Sequence, residues 1–125
     1  MYFNPQPKEE IWRNKKYREW IAKWPPQIQG SGDTVCVHIR ILGSGGTSIK
    51  PHDYFTLPLP DSIHKKIHNK GEITVLGSHF LSKEDYKKAK MKDLKALERL
   101  KKQLLDMCMA YKRVWDREQD RKKNS

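Results

Sequence analysis

The chain has 125 residues, of which 36% are hydrophobic and 33% are charged, and its formal net charge at pH 7 is +11. The length favours one domain with a small core, and no apolar run approaches the ~18 residues of a membrane-spanning helix. The excess of lysine and arginine favours a polyanion, above all DNA, as the partner.

The opening residues lack a signal pattern, and the chain contains only two cysteines, Cys36 and Cys108. Because two distant cysteines do not form a disulfide framework, we expect free thiols in a reducing compartment. The sequence therefore predicts a cytoplasmic protein without a membrane segment.

An N-terminal helix is the first predicted element. Residues 1–7 contain two prolines and are expected to be flexible. Residues 8–23 place isoleucine, tryptophan and tyrosine residues on one face of a helix. This helix should end before Pro25 and Pro26, because proline cannot continue it.

Two short strands are expected next. The run at 34–41 is rich in β-branched residues and lies between glycines, which is typical of a strand. A flexible glycine loop at 43–46 separates this run from a second one at 54–59. Pro58 limits the length of the second strand or confines it to a sheet edge.

A helix that carries two histidines should follow the second strand. Either Asp61 or Ser62 can cap its start, because both side chains accept hydrogen bonds from the first helical turn. His64 and His68 then lie one helical turn apart, and the helix should end near Gly71.

The last third of the chain predicts a long amphipathic helix over 83–116, with Ser82 as its N-cap. Residues 72–81 before it are ambiguous, and residues 117–125 are expected to form a flexible tail. The apolar seam of the helix packs onto the domain or forms a homodimer, and Lys101 fills its one polar position. The seam consists of Leu94, Leu97, Leu104, Cys108, Tyr111 and Trp115.

Three histidines carry the candidate chemistry. His64 and His68 share a helix face and can both reach one cation, although such pairs are also common on surfaces without a ligand. His38, near the end of the first strand, can accept a proton from water, although a lone histidine there is often structural. Arg40, on the same predicted strand, can hold a phosphate.

The same residues belong to an ordered set of motifs that runs from residue 24 to residue 68. The set consists of Trp24-Pro25, Gly30, Val37-His38-Ile39-Arg40, Gly45-Gly46-Thr47, Ile49-Lys50-Pro51, Asp53, Leu57-Pro58-Leu59, His64 and His68. It resembles the HNH endonuclease superfamily, also called the ββα-metal finger, and in particular the phage recombination-enhancement nucleases. The resemblance covers about residues 8–82 and leaves out the long C-terminal helix.

This resemblance implies a metal-dependent DNA endonuclease that hydrolyses phosphodiester bonds. His38 matches the general base, and Asp53 matches the residue that braces the loop and orients the base. His64 and His68 match the ligands of one divalent cation, which is Mg²⁺, Mn²⁺ or a transition metal. The resemblance implies a small ββα-metal (HNH) core within an HNH-like domain at 8–82, and with the N-terminal helix and the long C-terminal helix the predicted fold class is α+β. The implied setting is a bacterial or phage-infected host cell.

Five positions depart from the pattern of the family. The residue before the base is commonly a histidine or aspartate that binds metal, whereas Val37 cannot. Four other positions replace the cysteines that hold a structural zinc, so no structural zinc is expected. The alternative function is therefore a catalytically degenerate HNH-fold module that binds DNA or a protein, or an engineered zinc-free variant. The four replaced positions are Pro26, Gln29, Pro60 and Ile63.

Overall fold

The computed structural model describes residues 11–43 and 51–123. This part of the chain contains five α-helices and one two-stranded sheet, so the predicted mixture of helix and strand is confirmed at that level. The elements are α1 (Lys15–Ala22), β1 (Thr34–His38), a 3₁₀ helix (Arg40–Leu42), β2 (Thr56–Pro60), α2 (Asp61–Lys70), α3 (Glu72–Phe80), α4 (Lys83–Lys90) and α5 (Leu94–Lys123).

The sheet places His38 at one end, because β1 and β2 pair antiparallel with His38 opposite Thr56. Pro58 lies inside β2, opposite Cys36, and is tolerated because each strand of a two-stranded sheet has an outer edge. The carbonyl of Pro58 accepts a hydrogen bond from Gln27 N–H at 3.0 Å. The helix α2 follows β2 without a loop, so the sheet directly positions its first turn.

The first strand is shorter than the predicted run at 34–41, which is wrong at its C-terminal end. After His38 the chain turns into the 3₁₀ helix, because the Glu72 carboxylate accepts hydrogen bonds from two successive backbone groups. These donors are Arg40 N–H at 2.6 Å and Ile41 N–H at 2.9 Å. Arg40 therefore lies on a turn and not on the strand where it was predicted.

The helix α1 begins later than predicted, after Asn14, whose side chain accepts a hydrogen bond from Tyr17 N–H at 2.9 Å. Residues 11–14 are not helical, because their backbone bonds to the segment around Asp53. The prediction of a helix from residue 8 is wrong over 11–14, and residues 1–10 lie outside the described part of the chain.

The histidine-bearing helix α2 lacks the predicted side-chain cap. Pro60 occupies the N-cap position, whereas Asp61 and Ser62 are the first two helical residues. The hydroxyl of Ser62 instead accepts a hydrogen bond from Ser31 N–H at 2.8 Å and so ties the preceding loop to the helix. The end of α2 at Gly71 agrees with the sequence prediction.

The predicted single helix at 83–116 is wrong, because a turn between α4 and α5 interrupts it. Lys92 in this turn has a φ of 62°. The predicted start of the helix is confirmed, since Asp85 N–H donates to Ser82 Oγ at 3.1 Å. The helix α5 continues through residue 123, so the flexible tail predicted for 117–125 is helical as far as the structure describes it.

The apolar seam of α5 packs onto the domain, which is the first of its two predicted outcomes. Leu94 is wrong as a seam residue because it is 75% exposed, and Ala96 and Leu100 are fully buried instead. A homodimer through α5 stays a prediction. No helix among residues 11–43 and 51–123 is long and apolar enough to cross a membrane. The core includes Tyr17, Ile21, Val37, Ile39, Leu57, Leu59, Ile63, Leu76, Leu100, Leu104 and Cys108.

Candidate functional site

The three predicted histidines line one cleft of about 730 Å³. His38 reaches it from the end of β1, and His64 and His68 reach it from α2, which packs against the sheet. Arg40, the predicted phosphate-binding residue, and Glu72 also line this cleft. The fold therefore gathers side chains that are far apart in the sequence, and we call this region the histidine cleft.

Asp53 is fully buried and joins His38 to the N-terminal segment. Its Oδ1 lies 2.9 Å from His38 Nε2, and its Oδ2 accepts a hydrogen bond from Asn14 N–H at 2.7 Å. The guanidinium groups of Arg13 and Arg18 both form ion pairs with this carboxylate. Burial by itself would raise the pKa of Asp53, but these hydrogen bonds and the charge of Arg18 outweigh it and lower the pKa.

The low pKa of Asp53 determines which nitrogen of His38 carries a proton. An ionised carboxylate only accepts hydrogen bonds, so His38 Nε2 must donate to Asp53 Oδ1. In the neutral ring the basic lone pair then lies on Nδ1. The same carboxylate stabilises the positive charge that His38 gains when it accepts a proton.

His64 and His68 direct their Nε2 atoms at each other, and these atoms are 3.1 Å apart. Two imidazole nitrogens that bind one cation at about 2.1 Å, with an angle of about 90–110°, lie about 3.0–3.4 Å apart. The observed spacing therefore fits one shared cation. Burial lowers the pKa of His64, the neighbouring His68 lowers it further, and Asp61 opposes the shift. His64 is thus neutral at pH 7, as a metal ligand must be.

The positions that depart from the HNH pattern offer no thiolate, imidazole or carboxylate as a metal ligand. Val37 and Ile63 are each 2% exposed and belong to the core, and Pro60 is also buried. Pro26 and Gln29 are exposed and lie in the segment between α1 and β1. In the part of the chain that the structure describes, no group of three or more His, Cys, Asp and Glu side chains converges as a metal site.

Several residues of the site were missed by the sequence analysis. Arg18 lines the histidine cleft. Arg13, in the segment before α1, forms an ion pair with the carboxylate of Asp53. Glu72 binds the backbone around Arg40, and burial raises the pKa of Glu72 while these hydrogen bonds oppose the shift. Cys36 lies on the same face of β1 as His38, and burial raises the pKa of its thiol to about 11.

Comparisons with known proteins give one family and one relative. Residues 1–73 match the family described as "Protein of unknown function (DUF968)", and this segment includes all three histidines of the cleft. The chain is similar to the uncharacterized protein YdfU of Escherichia coli (strain K12), with 33% identity over 66 residues. The match covers 53% of this chain but only 19% of YdfU. No solved structure matches the chain significantly.

Proposed function

The chain belongs to the DUF968 family, and we propose that it is an HNH-like endonuclease that hydrolyses DNA phosphodiester bonds with one divalent cation. The proposal rests on one observation: two pairs of side chains, each already at a suitable distance, meet at the histidine cleft. One pair is His38 with Asp53, at 2.9 Å, and the other is His64 with His68, at 3.1 Å. The order of β1, β2 and α2 also agrees with a ββα-metal core.

His38 is the general base in this proposal. Its Nε2–H is held by Asp53, so its Nδ1 can take a proton from a water molecule that attacks phosphorus. Asp53 keeps the ring in one orientation and compensates the charge that His38 acquires. A carboxylate has about four acceptor sites, so Asp53 can pair with Arg13 and Arg18 and still accept a hydrogen bond from His38.

His64 and His68 are the proposed protein ligands of the cation, since their nitrogens converge at a suitable spacing. A divalent cation at this position would stabilise negative charge on the phosphate and on the leaving oxygen. Arg40 lines the same cleft and is suited to hold a phosphate oxygen, because its guanidinium is always charged and offers several donors. The net charge of +11 supports DNA as the partner.

A second candidate is a DNA-binding module that no longer cleaves. The burial of Val37 favours it, because the position before the base is committed to the core and offers no ligand atom. Two protein ligands are fewer than the three that catalytic zinc sites commonly use. Both candidates place DNA at the histidine cleft, and they differ only in whether a bond is broken there.

Plasmid nicking separates the two candidates. The purified chain with Mg²⁺ or Mn²⁺ should convert supercoiled plasmid to the nicked form, and His38→Ala should slow this by about 10²–10⁴-fold. His79→Ala is the matched control, because His79 is exposed at the end of α3 and does not line the cleft. If the wild type retards DNA in a gel but cuts nothing with any divalent cation, the binding module is correct.

A further inference from the structure

A second groove adjoins the histidine cleft and collects positive charge. It has a volume of about 310 Å³ and shares Gly71 and Glu72 with the histidine cleft, so the two depressions border each other at these residues. Three lysines from different parts of the fold line it: Lys70 ends α2, Lys90 ends α4, and Lys92 lies in the following turn. We call this region the lysine groove.

In the part of the chain that the structure describes, the three lysines of this groove have no carboxylate partner, unlike Lys65 on α2 and Lys88 on α4. Lys88 on α4 pairs with Glu84 at 3.2 Å, and Lys65 on α2 pairs with Asp61 at 3.0 Å. Within residues 11–43 and 51–123, none of the groove lysines forms such a pair. Lys90 Nζ lies 5.4 Å from the centroid of the Tyr86 ring, which is a cation–π contact. An anion at these lysines therefore displaces no paired carboxylate, and the Glu72 carboxylate that also lines the groove is held by the backbone N–H groups of Arg40 and Ile41.

Lys92 adds an independent observation, since it is the one non-glycine residue with a positive φ in the described part of the chain. A side chain is strained in this conformation, whereas glycine is not. The turn is closed by a hydrogen bond from Lys92 N–H to the Ala89 carbonyl at 2.9 Å. Glycine would relieve this strain, and Lys92 instead places a charged side chain in the lining of the groove.

We propose that the lysine groove binds the phosphate backbone of the DNA strand beside the point of cleavage. The choice of DNA as occupant rests on the proposed function, and the location rests on Gly71 and Glu72, which line both the groove and the histidine cleft. A strand that places one phosphate at Arg40 can continue past Gly71 toward the lysines. The family match ends at residue 73, so Lys90 and Lys92 lie in a part of this chain beyond it.

The test measures DNA binding by the full chain without divalent cation, so that cleavage plays no part. Anisotropy of a short labelled duplex gives the dissociation constant between about 50 and 200 mM salt. The triple variant Lys70→Gln, Lys90→Gln, Lys92→Gly should flatten the plot of log K against log salt by about 2.7, or about 0.9 for each phosphate contact. At about 0.1 M salt, this slope corresponds to a loss of about eightfold in affinity for each lysine.

The matched control removes three lysines that already pair with carboxylates outside the groove. Lys65→Gln, Lys88→Gln, Lys102→Gln gives the same net charge as the groove variant and should leave the slope near that of the wild type. Lys92→Gly alone should weaken DNA binding without lowering the midpoint of urea unfolding, because glycine fits the turn.

Two results would overturn the inference. One is that DNA binding by the groove variant and by its control depends equally on salt. The other is that poly-glutamate competes for the groove as well as DNA does. If the protein cuts plasmid but the slopes of the groove variant and its control are equal, the proposed function stands and the proposal for the groove fails. If the protein binds DNA through the groove but cuts nothing, the proposal for the groove stands and the proposed cleavage fails.

Discussion

Replacing Asp53 with asparagine removes one buried negative charge and keeps the size of the side chain. The carboxylate is fully buried and is shared by Asn14 N–H, Arg13, Arg18 and His38. An amide oxygen can still accept one hydrogen bond, but the NH₂ group would face donors. The substitution therefore tests whether this carboxylate organises both the fold and the proposed base.

The expected loss of stability depends on the two arginine charges that remain when the negative charge of Asp53 is removed. Removing one partner from a buried ion pair costs about 3–5 kcal/mol. The side chains of Arg13 and Arg18 are 40% and 35% exposed, so water can solvate them and the lower end applies, about 3 kcal/mol. Cleavage should fall by at least about 100-fold, because His38 is no longer held in one tautomer.

Urea unfolding followed by tryptophan fluorescence measures the loss of stability, and plasmid nicking measures the loss of activity. Asp61→Asn is the control, because Asp61 is partly exposed and pairs with the exposed Lys65, so its loss should change the free energy of unfolding by less than about 0.5 kcal/mol. If Asp53→Asn is as stable as the wild type at pH 7, the carboxylate does not hold the N-terminal segment.

The pH dependence gives an independent check on the same carboxylate. Its pKa is lower in the folded chain than in the unfolded chain, so its stabilising contribution is complete above the unfolded value of about 3.9. The contribution is lost as the pH falls through the lower folded value. The stability difference between wild type and Asp53→Asn should therefore shrink below about pH 4, and a constant difference there would refute this explanation.

Three further predictions concern the backbone and the proposed ligands. Gly71→Ala should cost about 1–3 kcal/mol in urea unfolding, because Gly71 has a φ of +88° and no neighbouring atom limits the new methyl group; an unchanged midpoint would exclude backbone strain. His64→Ala and His68→Ala should each weaken Mn²⁺ binding by about tenfold or more in calorimetry, and wild-type affinity in both would remove this pair as ligands. Asn14→Ala should cost about 1 kcal/mol through the lost cap of α1, in the same unfolding assay, and no change would show that the cap is dispensable.

The parts of the site that could be predicted from sequence depend on local patterns. A β-branched run places His38 on a strand, and a four-residue spacing places His64 and His68 on one helix face. The pairing of Asp53 with Arg13, Asn14 and Arg18 has no such signal, because these partners lie 35–40 residues away in sequence. Only the folded chain shows that the segment before α1 closes over this carboxylate.

The long C-terminal helix was mispredicted because one helix was assumed between the cap at Ser82 and the apolar seam, which begins only at Leu94, after the turn between α4 and α5. The signal that marks the break is Asp93, whose side chain accepts a hydrogen bond from Ala96 N–H at 3.0 Å and so caps α5. Leu94 fits the helical spacing of the apolar residues although its side chain is exposed, so the sequence pattern did not reveal the cap at Asp93. Glu72 was missed for a different reason, since its role depends on the 3₁₀ helix that it stabilises.

Single-turnover cleavage of a labelled DNA duplex, with imidazole added to His38→Ala, tests the proposed hydrolysis most directly. We expect fast cleavage by the wild type with Mn²⁺, a rate about 10²–10⁴-fold lower for His38→Ala, and partial recovery as free imidazole replaces the missing base. His79→Ala should match the wild type throughout. Wild-type rates in His38→Ala, or no cleavage by the wild type with any divalent cation, would contradict a hydrolytic site at this cleft.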